Sequence, residues 1–299
     1  MKILITGSTG LLGQALVTRL APYGEVAGLS RHEVLMPGES AHVVCDLTDA
    51  EATRRAIRAV APDVVVHTQA LSDVDRCEQE PEEAQRLNVH TVDHLCRALE
   101  TSQPLLLALS TDYVFDGRKG RPYDEEDAPN PLSTYGRTKV AGERLARRYA
   151  KGYVIRPSTL FGTGRVNFCE TVVQRVQRGE PVEAFADQTT SPTYTADLAE
   201  GIEALITAMG TSLRNRPRLY HMTNAGSATR VDFAKRVAAW LNQDGSLIRA
   251  VAMRDQHLSA PRPAYSALAS RHLAHVIGRT LRPWDDALHA YLRAQHWIN

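Results

Sequence analysis

Through the first half of the chain, short apolar runs alternate with longer amphipathic stretches. The runs at Lys2–Thr6, Val26–Ser30, His42–Asp46, Val64–Thr68, Leu105–Ser110 and Tyr153–Arg156 are rich in Val, Ile, Leu and Ala. Near-continuous apolar runs of this length predict strands covered on both faces. The stretches between them, about Leu11–Leu20, Asp49–Val60, Pro81–Glu100 and Thr134–Ala150, predict helices. Asp49 stands where a side-chain cap is needed, and Glu51 adds an acid to the first turn. Strand and helix alternating in this way predict an α/β fold with a doubly wound parallel sheet.

The second half is less regular. Helices are predicted near Phe168–Arg178, ending at Gly179, and near Ala196–Met209, ending at Gly210. Leu219–Thr223 reads as a strand, and three further helices are expected near Val231–Leu241, Ser266–Val276 and Trp284–Ala294. Pro217, Pro261, Pro263 and Pro283 punctuate the segments between them. The acidic cluster Asp124–Asp127 and the basic cluster Arg144–Arg148 read as solvated faces. Trp240, Trp284 and Trp297 read as helix packing.

Composition narrows the class. The chain has 299 residues, 43% hydrophobic and 23% charged, which is ordinary for a globular protein. A chain this long buries about three quarters of its unfolded surface, so it folds without disulfide staples or a structural metal. The net charge of +1 argues against a nucleic-acid or membrane-surface partner. Cys45, Cys77, Cys96 and Cys169 are widely spaced and read as reduced thiols of a cytoplasmic protein. No apolar run reaches the length needed to span a bilayer. The N-terminus, with one lysine and no apolar stretch of leader length before the glycines, is not read as a signal peptide.

The first strand leads into Thr6-Gly7-Ser8-Thr9-Gly10-Leu11-Leu12-Gly13, spaced G-x-x-G-x-x-G. Gly7 suits a tight turn, Gly10 leaves room for a pyrophosphate, and Gly13 lets the first helix pack closely on the sheet. The helix N-terminus then offers unpaired N–H groups to phosphate. A glycine triplet between strand and helix is the context of a Rossmann dinucleotide site. The second strand ends Ser30-Arg31-His32, with no acid until Glu33. An arginine there suits a ribose 2′-phosphate, which favours NADPH over NADH. Asp46, at the end of the third strand, is a candidate for the adenine edge.

Tyr135-Gly136-Arg137-Thr138-Lys139 places a tyrosine and a lysine at i and i+4, on one helix face. A neighbouring ammonium is expected to draw the phenol pKa towards neutral pH and fit it for proton transfer. Of the ten tyrosines, Tyr135 alone has a lysine four residues on. Thr111 and Asp112 follow the fifth strand, at the carboxyl end where open α/β sheets bind ligands. Thr111 can hydrogen-bond the substrate oxygen that Tyr135 protonates, or simply cap a turn. His90 and His94 share a helix face, but Thr91 occupies the place of the glutamate in the zinc-protease pattern, so they read as exposed helix histidines.

These motifs, together with Ser110–Gly117 (STDYVFDG), Arg156–Gly162 (RPSTLFG) and Asp187–Ala199 (DQTTSPTYTADLA), resemble the extended short-chain dehydrogenase/reductases, closest in their dTDP-4-dehydrorhamnose reductase branch. The resemblance covers nearly the whole chain and includes Val74-Asp75, Glu78 and Asn88, and Arg262-Pro263 with Ser266. It implies a dinucleotide-binding domain over 1–160, with returning segments about 190–223. A smaller α-rich substrate domain is implied over 161–189 and 224–299. It further implies hydride transfer from a nicotinamide to C4 of a nucleotide-linked 4-keto-6-deoxy sugar. Tyr135 would be the acid, Lys139 the residue that holds the nicotinamide ribose, and Thr111 the group polarising the carbonyl. The implied cofactor positions are Gly7, Thr9, Gly10, Leu11, Leu12, Gly13, Ser30, Arg31, Asp46, Leu47, Gln69, Ala70 and Leu71, with Tyr135 and Lys139. The implied substrate positions are Thr111, Asp112, Leu160 and Asn167.

Two positions depart from that branch. Leu160 stands where it usually has tryptophan, and His67-Thr68-Gln69-Ala70 replaces an asparagine followed by alanines. A dehydratase would need a further acid where Tyr113 stands. An epimerase remains open by fold analogy. So does a non-catalytic cofactor-binding regulator, since the β subunit of methionine adenosyltransferase resembles the same branch. The sequence leaves the sugar and nucleobase open, along with Mg²⁺ and assembly, for which a homodimer is one option.

Overall fold

The computed structural model describes residues 1–211 and 216–299. Its first half runs β1 (Lys2–Thr6), α1 (Leu11–Leu20), β2 (Glu25–Ser30), β3 (Ala41–Val44), α2 (Ala50–Val60) and β4 (Val64–His67). It continues through α3 (Val74–Gln79), α4 (Pro81–Gln85), α5 (Thr91–Leu99), β5 (Leu105–Leu109), α6 (Thr134–Arg148) and β6 (Gly152–Arg156). The second half holds β7 (Leu160–Phe161), α7 (Phe168–Gln177), β8 (Val182–Phe185), β9 (Thr189–Thr190), β10 (Thr193–Tyr194) and α8 (Thr195–Thr211). It ends with β11 (Leu219–His221), β12 (Ala228–Thr229), α9 (Arg230–Trp240), β13 (Ile248–Val251), α10 (Arg271–Ile277) and α11 (Trp284–Ala294).

Seven parallel strands form the central sheet in the order β11-β6-β5-β4-β1-β2-β3. The order in which the strands are laid down reverses between β1 and β4, which opens a crevice at their carboxyl ends. Alternation within each strand splits the core. On one face Ile3 and Ile5 of β1 meet Leu16 and Val17 of α1 and Ile202 and Leu205 of α8. On the other, Leu4 meets Ile57 of α2 and Leu95 and Leu99 of α5. A separate cluster joins Val172 and Val176 of α7, Val237 of α9 and Leu288 and Tyr291 of α11. Tyr194, inside the returning segment expected from sequence, packs in this second cluster. Residues 212–215 of that segment lie outside the described residues.

Several expectations change. The helix expected over Pro81–Glu100 is interrupted by a π turn at Arg86–His90. There Asn88 faces inward, accepting from Leu71 N at 2.8 Å and donating to Leu71 O and Thr138 Oγ1 at 3.1 Å. The extra residue in the turn lets that side chain satisfy buried polar groups that no helix residue would reach. The helix expected from Ser266 begins only at Arg271, because Tyr265 and Leu268 make backbone bridges to Thr189 and Tyr123. The acidic cluster is a solvated face only in part, with Glu126 exposed. Asp124 and Glu125 are buried, and Glu125 accepts from the backbone N–H groups of His221, Arg271 and His272. Glu125 thus caps α10 from a distant loop, which the local pattern does not reveal. His90 is exposed as expected, but His94 is half-buried and bonds Leu47 O at 2.9 Å. Among the described residues, no helix is long and apolar enough to cross a membrane.

Leu288 is fully buried in the second cluster. Leu288→Ala is expected to destabilise the protein by about 2–5 kcal/mol through lost transfer energy and a residual cavity. Urea unfolding measures this, and a loss below about 1 kcal/mol would show that the cluster is not close-packed there.

Candidate active site

The crevice between β1 and β4 starts from the glycine loop. Gly7 has φ +73°, in the left-handed region, and a Cβ there would lie 2.9 Å from Thr68 Oγ1. Gly13 is held tighter still, since a Cβ would lie 2.2 Å from Gly7 O. Gly10 is the N-cap of α1, and no side chain caps that helix. Its Cβ position meets only Gly7 O, at 3.1 Å, so the approach to the helix N-terminus is clear. Backbone donors with room for phosphate therefore fit a dinucleotide pyrophosphate. Thr9 and Leu11 are partly exposed around this opening, whereas the Leu12 side chain is buried in the core, leaving only its N–H for a ligand.

Ser30, Arg31 and Asp46 lie at the far end of the crevice. Arg31 is exposed. Partial burial would raise Asp46, but the N–H and hydroxyl of Thr48, with Arg31 and Arg86, hold its carboxyl below the usual range. Leu47 is fully buried, so it too can offer only backbone. Ser30 Oγ bonds His42 Nε2 at 2.9 Å, and His42 Nδ1 bonds Glu39 Oε2 at 2.8 Å. The Glu39 carboxylate is buried beneath the glycine loop, where a Cβ on Gly28 would collide with it. The local pattern gave no sign of this acid, because it arrives on the irregular segment before β3. Gln69 and Ala70 line the β4 side, half-buried. Leu71 is buried beside Tyr135.

Helix α6 carries the reactive groups. Ser133 caps it by accepting from Gly136 N at 3.2 Å, and Glu78 accepts from Thr134 N at 2.7 Å. These two bonds fix the first turn, on which Tyr135 sits. Tyr135, Lys139 and Glu143 follow at i, i+4 and i+8, and all three are buried. Glu143 was missed in the sequence, although its spacing continues the tyrosine–lysine stripe. It receives Arg156 Nε at 2.7 Å and Arg156 Nη2 at 2.6 Å, and Ser110 Oγ donates to it at 2.5 Å. Lys139 Nζ donates to Leu109 O at 2.7 Å. Burial pushes the Lys139 ammonium down to about 8, and the Glu143 carboxylate opposes that shift. The expected lowering of the Tyr135 phenol is overturned. Burial dominates and raises it well above the ordinary value, with the Thr111 hydroxyl acting the other way. The phenol therefore stays protonated at neutral pH. His67, pushed down to about 3 by burial, is neutral and bonds Thr6 Oγ1 at 2.7 Å.

Thr111 comes to the Tyr135 phenol from the end of β5. It also caps the short turn that follows, accepting from Tyr113 N at 3.2 Å, which is the turn-capping role expected of it. The Tyr113 ring meets Tyr135 edge-on, with centroids 5.8 Å apart. Asp112 is less available to a ligand than expected. Burial raises its carboxyl, which sits among the hydroxyls of Ser266 (2.5 Å), Ser158 (2.9 Å) and Thr111 (3.2 Å). It fastens the C-terminal segment to the end of β5. Asn167 is likewise engaged: it caps α7 through Cys169 N and Glu170 N and donates to Gly162 O at 2.8 Å. Leu160 is half-buried against the first core cluster. Two arginines absent from the expected site stand on this side. Arg262 forks onto Asp75 at 2.6 and 3.1 Å, and Arg230 lies over the Phe168 ring, 4.8 Å from its centroid. Among the described residues, no group of three or more His, Cys, Asp or Glu is placed to hold a metal ion.

Comparison with known proteins agrees with this geometry. A dTDP-4-dehydrorhamnose reductase of Mycolicibacterium smegmatis is 33% identical over 291 residues, 96% of this chain and 84% of that protein. A probable dTDP-4,6-dihydroxy-2-methyloxan-3-one 4-ketoreductase of Streptomyces antibioticus is 36% identical over 96% of this chain and 93% of its own length. The crystal structure of dTDP-4-dehydrorhamnose reductase from Bacillus anthracis in complex with NADP matches with a TM-score of 0.84. It is 28% identical, covering 98% of this chain and 99% of that one. The family model described as the RmlD substrate binding domain matches residues 1–296, and the chain belongs to that family.

Proposed function

We propose that this protein is an NADPH-dependent reductase of a nucleotide-linked 4-keto-6-deoxy sugar, of the dTDP-4-dehydrorhamnose reductase type. One observation carries the reading. A buried Tyr135 stands with Thr111 and Lys139 at the carboxyl end of the sheet, beside a glycine cradle shaped for pyrophosphate. A purely regulatory cofactor-binding protein has no need of that buried stripe. We assign the dinucleotide-binding part to 1–160 with 190–223 and the substrate part to 161–189 and 224–299.

The glycine loop and α1 N-terminus hold the pyrophosphate, and Ser30 and Arg31 meet the adenosine ribose. When bound, the reduced nicotinamide supplies a hydride to the substrate ketone. Thr111 donates a hydrogen bond to the ketone oxygen and polarises it. Tyr135 gives its phenolic proton to that oxygen, so the ketone becomes an alcohol and the tyrosine a phenolate. The Lys139 ammonium stabilises the phenolate, and Glu143 keeps that lysine charged in a dry setting. A sugar nucleotide is the substrate class, and thymidine diphosphate is the carrier in the names of both relatives compared above.

Oxidation of NADPH, followed at 340 nm with a panel of nucleotide 4-keto sugars, tests the assignment; no turnover with any of them would refute it. Tyr135→Phe is expected to lower kcat about 10²–10⁴-fold while NADPH still binds. Because the Lys139 cation is lost as pH rises through about 8, kcat is expected to fall across that range. Glu143→Gln removes the charge that raises Lys139, so it should move the falling limb to lower pH. A limb that stays in place would show that Lys139 does not set it. Arg31→Ala is expected to weaken NADPH about tenfold and NADH little, read by fluorescence titration. Equal losses would assign Arg31 a surface role.

A further inference from the structure

The turn that carries Arg31 is held by side chains that take no part in the reduction. At the end of β2, Ser30 Oγ donates to His32 O at 2.7 Å and bonds His42 Nε2 at 2.9 Å. His42 Nε2 also lies 3.1 Å from His32 O. The other side of the ring meets Glu39, whose Oε2 accepts from Nδ1 at 2.8 Å and from Met36 N at 3.1 Å. The Glu39 and His42 side chains are 0% and 4% exposed. A carboxylate can only accept, so Nδ1 carries a proton, and the ring cannot flip without losing contacts on both sides. Nε2 takes the Ser30 proton when the ring is neutral, or donates to His32 O when it is charged. Either way the ring ties both neighbours of Arg31 to Glu39. Glu39 is held there at a cost. Its Oε1 has no partner, nor has the buried Ser8 Oγ, and both crowd the place where a Cβ on Gly28 would stand. A half-satisfied buried carboxylate is destabilising, and a loop that only needed closing would close as well on apolar side chains.

We propose that His42, oriented by Glu39, is the positioning residue that aims Arg31 at the ribose 2′-phosphate and so sets the preference for NADPH over NADH. Arg31 is exposed, so its reach is set by the backbone on either side of it. Its charge is felt by Asp46, just past the carboxyl end of β3, which places it at the ribose end of the crevice. A phosphate pairs well with a guanidinium fork that is already in place. Ordering a long side chain and its turn at the moment of binding takes away part of that gain. NADH presents a hydroxyl at the same point and gains little from the cation. The inference rests on the coenzyme part of the reductase reading and is independent of the sugar.

Binding of NADPH and NADH, read by fluorescence titration, tests this without turnover. His42→Asn keeps a donor for Glu39 and removes the contacts made by Nε2. Glu39→Gln/His42→Phe removes the whole set without leaving a buried charge unpaired. Each is expected to weaken NADPH about 3–10-fold and NADH less than about twofold. Glu39→Gln alone should keep the preference, because Met36 N–H holds the amide oxygen towards Nδ1. Arg31→Ala added to His42→Asn should lose no more than Arg31→Ala by itself, since both act through one guanidinium. Equal losses for the two coenzymes, losses that add to that of Arg31→Ala, or a wild-type protein that binds both coenzymes alike would overturn the proposal. A selective, non-additive loss in a protein that reduces no 4-keto sugar would support it while refuting the reductase reading. Turnover of such a sugar with an NADPH preference that survives in both variants would do the reverse.

Discussion

The site depends on keeping a polar stripe of one helix dry. Tyr135, Lys139 and Glu143 occupy successive turns of α6 and are all buried, so each carries a desolvation cost that must be offset locally. Glu143 is the anchor. The bidentate grip of Arg156 and the Ser110 hydroxyl hold its carboxylate, and it in turn favours the charged form of Lys139. Without that ion pair a lysine in this setting would lose its proton more readily, and the stripe would hold a tyrosine beside an uncharged amine. The pair is therefore better understood as setting charge and position than as adding net stability, since buried ion pairs seldom do the latter.

Around this stripe, the chain repeatedly uses polar side chains as fasteners between distant segments. Asn88 ties the end of β4 to α6. Asp112 binds the residue before it and hydroxyls from two distant segments. Glu125 caps α10 and holds β11. Asp75 secures the segment around Arg262. Each is a carboxylate or amide with most of its hydrogen-bonding capacity used. Arg230 differs from them: among the described residues it has no ion-pair partner, and its guanidinium lies over the Phe168 ring.

Several residues of the expected site also hold the fold together. Asp112 and Asn167, read as substrate contacts, are engaged in holding loops in place, while Leu12 and Leu47 turn their side chains into the core.

Periodicity and punctuation were enough for the parallel sheet, the glycine loop, the tyrosine–lysine pair and the cap at Asp49, whose side chain accepts from Glu51 N and Ala52 N at the start of α2. All of these are local: an apolar run, a glycine triplet at a strand end, or two residues one helical turn apart is readable over a few positions. What folding alone decided involves partners far apart in sequence. The π turn at Asn88 answers to buried groups of Leu71 and Thr138, and the burial of Glu125 answers to a helix that begins at Arg271. The direction of the Tyr135 shift belongs here too. Sequence shows that a lysine stands one helical turn away, but desolvation depends on how completely the surrounding segments close over the phenol, and here burial raises it.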